Sequence, residues 1–74
     1  MIFFTQHSLL KLKQREISES LVSKTLKNPD HIFKSYSDRE IAYKKFRKLY
    51  LKVIYKEEFG NISVITQYWT KIIK

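Results

Sequence analysis

The chain reads as an α+β domain, two N-terminal helices packed on an antiparallel β-sheet meander, and three observations predict it. Apolar residues recur at a spacing near 3.6 before Pro29 and alternate with period 2 after it. Ser18 and the Asn28–Pro29 pair stand where a second helix would start and stop. The only glycine, Gly60, separates two alternating runs, as a hairpin turn would.

Each element follows in order. Ile2 to Phe4 are β-prone and predict a short strand. Thr5 is a suitable N-cap for a helix that stops near Arg15 or Glu16, with Leu9 and Leu12, and Ile17 just beyond, facing inward. His7, Lys11, Gln14 and Arg15 then share a basic outer face. Ser18 caps a second helix, Glu19 sits favourably in its first turn, and Leu21, Val22, Thr25 and Leu26 form its apolar stripe. Asn28, expected in a left-handed cap, and Pro29 end it, so residues 6 to 27 hold two short helices joined by a tight corner.

Beyond Pro29, strands are predicted at His31–Tyr36, Ile41–Arg47, Leu49–Lys56 and from Ile62 to Tyr68 or beyond, with a polar connection over Ser35–Glu40 and a turn over Glu57–Asn61. Leu49, Leu51, Val53 and Tyr55 share one face, and Tyr50, Lys52, Ile54 and Lys56 the other. In the last strand Ile62, Val64, Thr66 and Tyr68 alternate against Ser63, Ile65, Gln67 and Trp69. Leu12, Leu26, Leu51 and Val53 are the expected core, one sheet face lying under the helices and the other open.

Length and composition narrow the function classes. Residues 1–74 make a single domain, which buries only roughly 60% of its unfolded surface. No cysteine is present, so no disulfide or thiolate zinc site supplements the core, and two histidines without ligand spacing predict no metal. One glycine leaves no phosphate-cradling loop, so no nucleotide cofactor is expected, and no Ser-His-Asp order or carboxylate pair stands out. Met1 to Phe4 is too short for a signal-peptide core and no run approaches the ~20 apolar residues of a membrane span, which reads as cytoplasmic.

The formal net charge is +8 and concentrates in residues 42 to 56, where Lys44, Lys45, Arg47, Lys48, Lys52 and Lys56 interleave with Tyr43, Phe46, Tyr50 and Tyr55 and no acid intervenes. This is the footprint of a nucleic-acid surface, lysines meeting phosphates and rings stacking on bases. A solvated strand pair with lysines guarding its edge has the same composition, and an acidic protein would be drawn by the same field. A membrane surface is disfavoured because the cations lie on strands, not along an amphipathic helix.

The spacing His7, Arg15, Ile17, Ser18, followed by Asn28-Pro29-Asp30 and a closing Val64-Ile65-Thr66, resembles the small bacterial and archaeal family called domain of unknown function 4258, from Phe4 to about Tyr68. Lys11 stands where that family often has arginine, and Ser8 where alanine is usual. The family in turn resembles the RelE and ParE toxins and BrnT-type ribonuclease toxins, the likeness to BrnT-type proteins being most visible over Gln14–Val22, and this implies two helices laid on an antiparallel sheet.

Metal-free RNA cleavage needs a base for the 2′-hydroxyl proton, cations for the phosphorane charge and a donor for the leaving 5′ oxygen. His7, in the first turn of a helix that disfavours a second ring proton, suits the first role; Arg15 and Lys11 suit the second, and Lys52 or Tyr68 the third. The plainer account makes His7 a helix-start residue, Arg15 a partner of a helix end or an acid, and Lys11, Lys52 and Tyr68 ordinary surface or sheet residues. The resemblance implies a RelE-like toxin of a type II toxin-antitoxin pair, an endoribonuclease on mRNA, ribosome-associated mRNA included, neutralised by an acidic antitoxin. The alternatives are a non-cleaving RNA- or DNA-binding module of the same fold and a toxin-like protein with a protein target.

Overall fold

The computed structural model describes residues 1–73, in the order β1 (Ile2–Phe4), α1 (Gln6–Arg15), α2 (Glu19–Lys27), β2 (His31–Lys34), β3 (Arg39–Phe46), β4 (Leu49–Glu58) and β5 (Asn61–Thr70). The helix boundaries fall where the caps put them. Thr5 Oγ1 accepts from the Ser8 N–H at 3.1 Å, and Ser18 Oγ from the Leu21 N–H at 3.2 Å.

Helix α1 ends in a Schellman turn: Ile17 N–H donates to the Leu12 carbonyl at 2.9 Å, Glu16 N–H to that of Lys13, and Leu12 and Ile17 meet in the core. The left-handed position, with φ 53°, is held by Glu16. Asn28, by contrast, is not left-handed. Its φ of −145° and ψ of 65° follow from the proline behind it, which excludes the helical region.

The sheet order is β1-β5-β4-β3-β2. Strands β2 to β5 are the expected antiparallel meander, but β1 pairs in parallel with β5, so the five-stranded sheet is mixed. Three apolar residues carry no signal of direction. The pairing is set by the Ile62 N–H donating to the Met1 carbonyl at 2.8 Å and the Thr5 N–H to that of Val64 at 3.1 Å. Strand β2 stops at Lys34, two residues short of the expected end, because Ser37 and Asp38 both take positive φ in the turn to β3.

One face of the sheet packs under the helices around Leu12, Ile17, Val22, Ala42, Leu51, Val53, Tyr55 and Val64, with Leu26 only half-buried at the margin. Leu9, expected inward, is exposed, and its place is taken by the fully buried Ser8. The small side chain lets α1 approach β5 closely enough for Gln67 Nε2 to donate to the Ser8 carbonyl at 2.9 Å.

The strict alternation expected of the last strand also fails. Ile54 pairs with Thr66 but Tyr55 with Val64, so Ile65 is an extra residue in a β-bulge. Beyond it the faces exchange: Gln67 joins Val64 in the core, and Thr66 and Tyr68 move to the open face.

Candidate functional site

The register assembles one row of side chains across the open face. His31 on β2 lies opposite Tyr43 on β3, Tyr43 opposite Lys52 on β4, and Lys52 opposite Tyr68 on β5. Directly opposed residues share a face, and three strand spacings make the row about 14 Å long. The bulge at Ile65 is what brings Tyr68 into it.

Arg15 completes the row from the helix layer. Strand β1 covers β5 only as far as Val64, so the later carbonyls of that edge have no strand partner: that of Ile65 accepts from Thr5 Oγ1 at 3.3 Å, and that of Gln67 is left for a side chain. Arg15 Nη1 reaches over the edge to the Gln67 carbonyl at 2.8 Å and Thr66 Oγ1 at 3.4 Å, and its guanidinium carbon stands 5.5 Å from the centre of the Tyr68 ring. The remaining guanidinium donors have no partner among the described residues.

Cations and rings therefore alternate. Lys52 Nζ lies 5.3 Å from the Tyr68 ring centre and 5.7 Å from that of Tyr43. Burial pulls its ammonium down, but hydrogen bonds to the Tyr68 and Tyr43 phenol oxygens and their attraction outweigh it, and its pKa is raised above 10.5. Lys52 is thus a fixed positive charge near neutral pH and not a base. Lys45 Nζ stands 5.8 Å from the Tyr50 ring centre in the neighbouring row. Phe33 and Tyr50 meet Tyr43 edge-on, which explains how a ring on the open face is fully buried.

The other residues singled out in the sequence lie elsewhere. His7 is exposed, eight helical residues or about 12 Å of rise from Arg15, with no hydrogen-bond partner among the described residues. Lys11 donates to Gln14 Oε1 at 3.0 Å on the flank of α1. The basic run is no single surface. Lys45, Lys52 and Lys56 point to the open face, Arg47 and Lys48 form the β3–β4 turn, and Lys44 turns to the helix side, where Nζ donates to the Asn28 carbonyl at 3.0 Å and caps the end of α2.

Two open-face residues escaped sequence reasoning, His31 and Arg39, the latter opposite Lys56. The sequence pattern puts His31 at a strand start and Arg39 in a connection. Only the pairing register, absent from a single sequence, places them.

A family model described as Domain of unknown function 4258 matches residues 4–69, a span that includes Arg15, His31, Tyr43, Lys52 and Tyr68. The chain belongs to that family. Among curated proteins and solved structures nothing matches it. For this member of the 4258 family, no described helix is long and apolar enough to cross a membrane, and among the described residues no three His, Cys, Asp or Glu side chains cluster as metal ligands would.

Proposed function

We propose that the open sheet face holds single-stranded RNA and cleaves it without a metal, and that the chain is a cytoplasmic RelE-like mRNA endoribonuclease, the toxin of a pair with an acidic antitoxin. The relation to RelE, ParE and BrnT-type toxins belongs to this proposal. It rests on one observation: the row His31–Tyr43–Lys52–Tyr68, closed by Arg15, sets two cations around a phenol on an exposed face lined with rings.

In the reaction the 2′-hydroxyl gives up its proton and its oxygen bonds to the adjacent phosphorus. The bond from phosphorus to the 5′ oxygen breaks, and that oxygen takes a proton, leaving a 2′,3′-cyclic phosphate and a 5′-hydroxyl. Arg15 and Lys52 stabilise the doubly charged phosphorane, and the Tyr68 phenol between them donates to the leaving oxygen. An imidazole takes the first proton. His31 stands at the far end of the row, three strands from Tyr68, and His7 two turns of α1 from Arg15, so substitution decides between them.

The test is incubation of end-labelled single-stranded RNA with the protein in chelator and, separately, of a translated message with the protein and ribosomes in magnesium buffer. Cyclic-phosphate ends are expected, and Lys52→Gln should slow their formation about 10²-fold. Whichever of His31→Ala and His7→Ala slows cleavage by about 10² to 10⁴ while leaving RNA binding intact carries the base. Salt-sensitive binding by wild type without cleavage in either condition would replace this reading with a non-cleaving RNA-binding module, which the stacked His31 and Phe33 rings, 6.3 Å apart, would also serve.

A further inference from the structure

At one end of the sheet, on the side away from the row, an apolar cleft of about 670 Å³ opens between α2 and the β3–β4 turn. Its floor is Leu21, Phe46, Leu49 and Trp69, all half-buried, with the Phe46 and Trp69 rings edge-on at 5.9 Å. Its lip is Arg47 and Lys48, both exposed and without an acidic partner among the described residues.

The lip sits on a strained turn. Two residues join β3 to β4, a connection that favours asparagine and glycine because φ turns positive there. Arg47 nevertheless takes φ 61°. At the other tight turn, Phe59–Gly60, glycine occupies one of the two positive-φ positions. A strained backbone residue bearing a charge, beside uncovered apolar surface, is a pattern of binding sites.

We infer that this cleft docks an acidic peptide segment of a partner protein, one large apolar side chain entering between Phe46, Leu49 and Trp69 while flanking carboxylates meet Arg47 and Lys48. The chemistry favours a peptide over RNA. The only polar side-chain group on the floor is the Trp69 indole N–H, so a nucleobase there would leave its edge unpaired, whereas leucine or phenylalanine needs no partner. The cationic lip selects an acidic chain over a neutral one. This site holds whether or not the open face cleaves RNA.

Trp69 is the only tryptophan and reports directly on the cleft. The probe is a short capped peptide of glutamate with spaced leucine and phenylalanine, titrated into the full chain while Trp69 emission is followed. A saturable blue shift that weakens with salt is expected. Replacing the probe's leucine and phenylalanine by alanine should weaken it about tenfold or more. Arg47→Gly should weaken binding about threefold while raising the melting temperature, because glycine accepts the positive φ, so a loss cannot be blamed on unfolding. Adding Lys48→Gln should bring the loss to about tenfold. Three results would each overturn the proposal: no Trp69 response, equal binding of a glutamine-for-glutamate probe, or a stronger Trp69 response to polyuridylate than to the peptide.

Discussion

The two faces of the sheet are built from the same strands one residue out of step, and they do different physical work. Toward the helices, Ala42, Val53 and Gln67 stand side by side in full burial, and Leu51 lies between Lys44 and Trp69. Toward solvent, the adjacent positions are His31, Tyr43, Lys52 and Tyr68. The first face excludes water and carries the stability of a thin core, whereas the second retains charge that the fold does not require. A residue's contribution in this protein is thus decided by parity along the strand more than by its type, as Lys44 and Lys45 show.

The two faces differ most at neighbouring residues 51 and 52. Leu51→Ala removes a fully buried side chain near the start of β4 and should cost about 2 to 5 kcal/mol, enough to unfold much of a domain this small. Lys52→Gln, one position on, should melt near wild type and lose RNA cleavage instead. Paired urea titrations check this. Similar destabilisation by both would mean that the open face is a second core and not a binding surface.

A smaller effect comes from protons. Tyr55, buried in the helix face, donates to Glu40 Oε1 at 2.9 Å, and burial first and that carboxylate second push its pKa well above the ordinary 10.0. The folded state therefore holds the phenol proton where the unfolded chain has lost it. The stability Tyr55 contributes is complete below pH 10 and declines as pH rises beyond it. Lys52, also raised, adds a loss of the same sign above 10.5. Tyr55→Phe should cost about 1 kcal/mol at pH 8, through the missing hydrogen bond, and fall less steeply than wild type into alkali, so the two curves converge. Parallel curves between pH 8 and 11.5 would show that Tyr55 ionises alike in both states.

The sequence made the helix pair legible because caps are local: Thr5, Ser18 and Pro29 act within one turn of themselves. The β3–β4 faces were legible too, since Leu51, Val53 and Tyr55 alternate without interruption. What stayed hidden was non-local. The bulge at Ile65 leaves no mark in a run where Ile62, Val64 and Ile65 are all apolar, yet it decides that Tyr68 meets Lys52. The direction of β1 depends on strand β5, some sixty residues away. His31 was overlooked because its pairing with Tyr43 depends on a turn whose length Ser35–Glu40 does not reveal. Leu9 misled because apolar character alone cannot show that α1 approaches β5 through Ser8.

The smallest expected effect separates the faces most cleanly. Lys44 and Lys45 are adjacent, equally charged, and indistinguishable in composition. Lys44 is committed to the Asn28 carbonyl on the helix side, and Lys45 stands beside Tyr50 on the open side. Each phosphate contact on single-stranded RNA contributes about −0.7 to the slope of log K against log salt. Lys45→Gln should therefore make the slope shallower by about 0.7 and weaken binding to every sequence alike. Lys44→Gln should leave the slope unchanged and instead lower the melting temperature by a degree or two, the order expected for losing one exposed charge-assisted cap. Fluorescence anisotropy with oligouridylate at several salt concentrations reads both slopes, and melting curves read the other half of the contrast. If the two variants flatten the slope equally, RNA contacts both sides of β3 and the open face is not the sole binding surface. If neither does, the cations that meet RNA are Arg15, Arg39, Lys52 and Lys56, and the strand would cross the sheet on the side away from the β3–β4 turn.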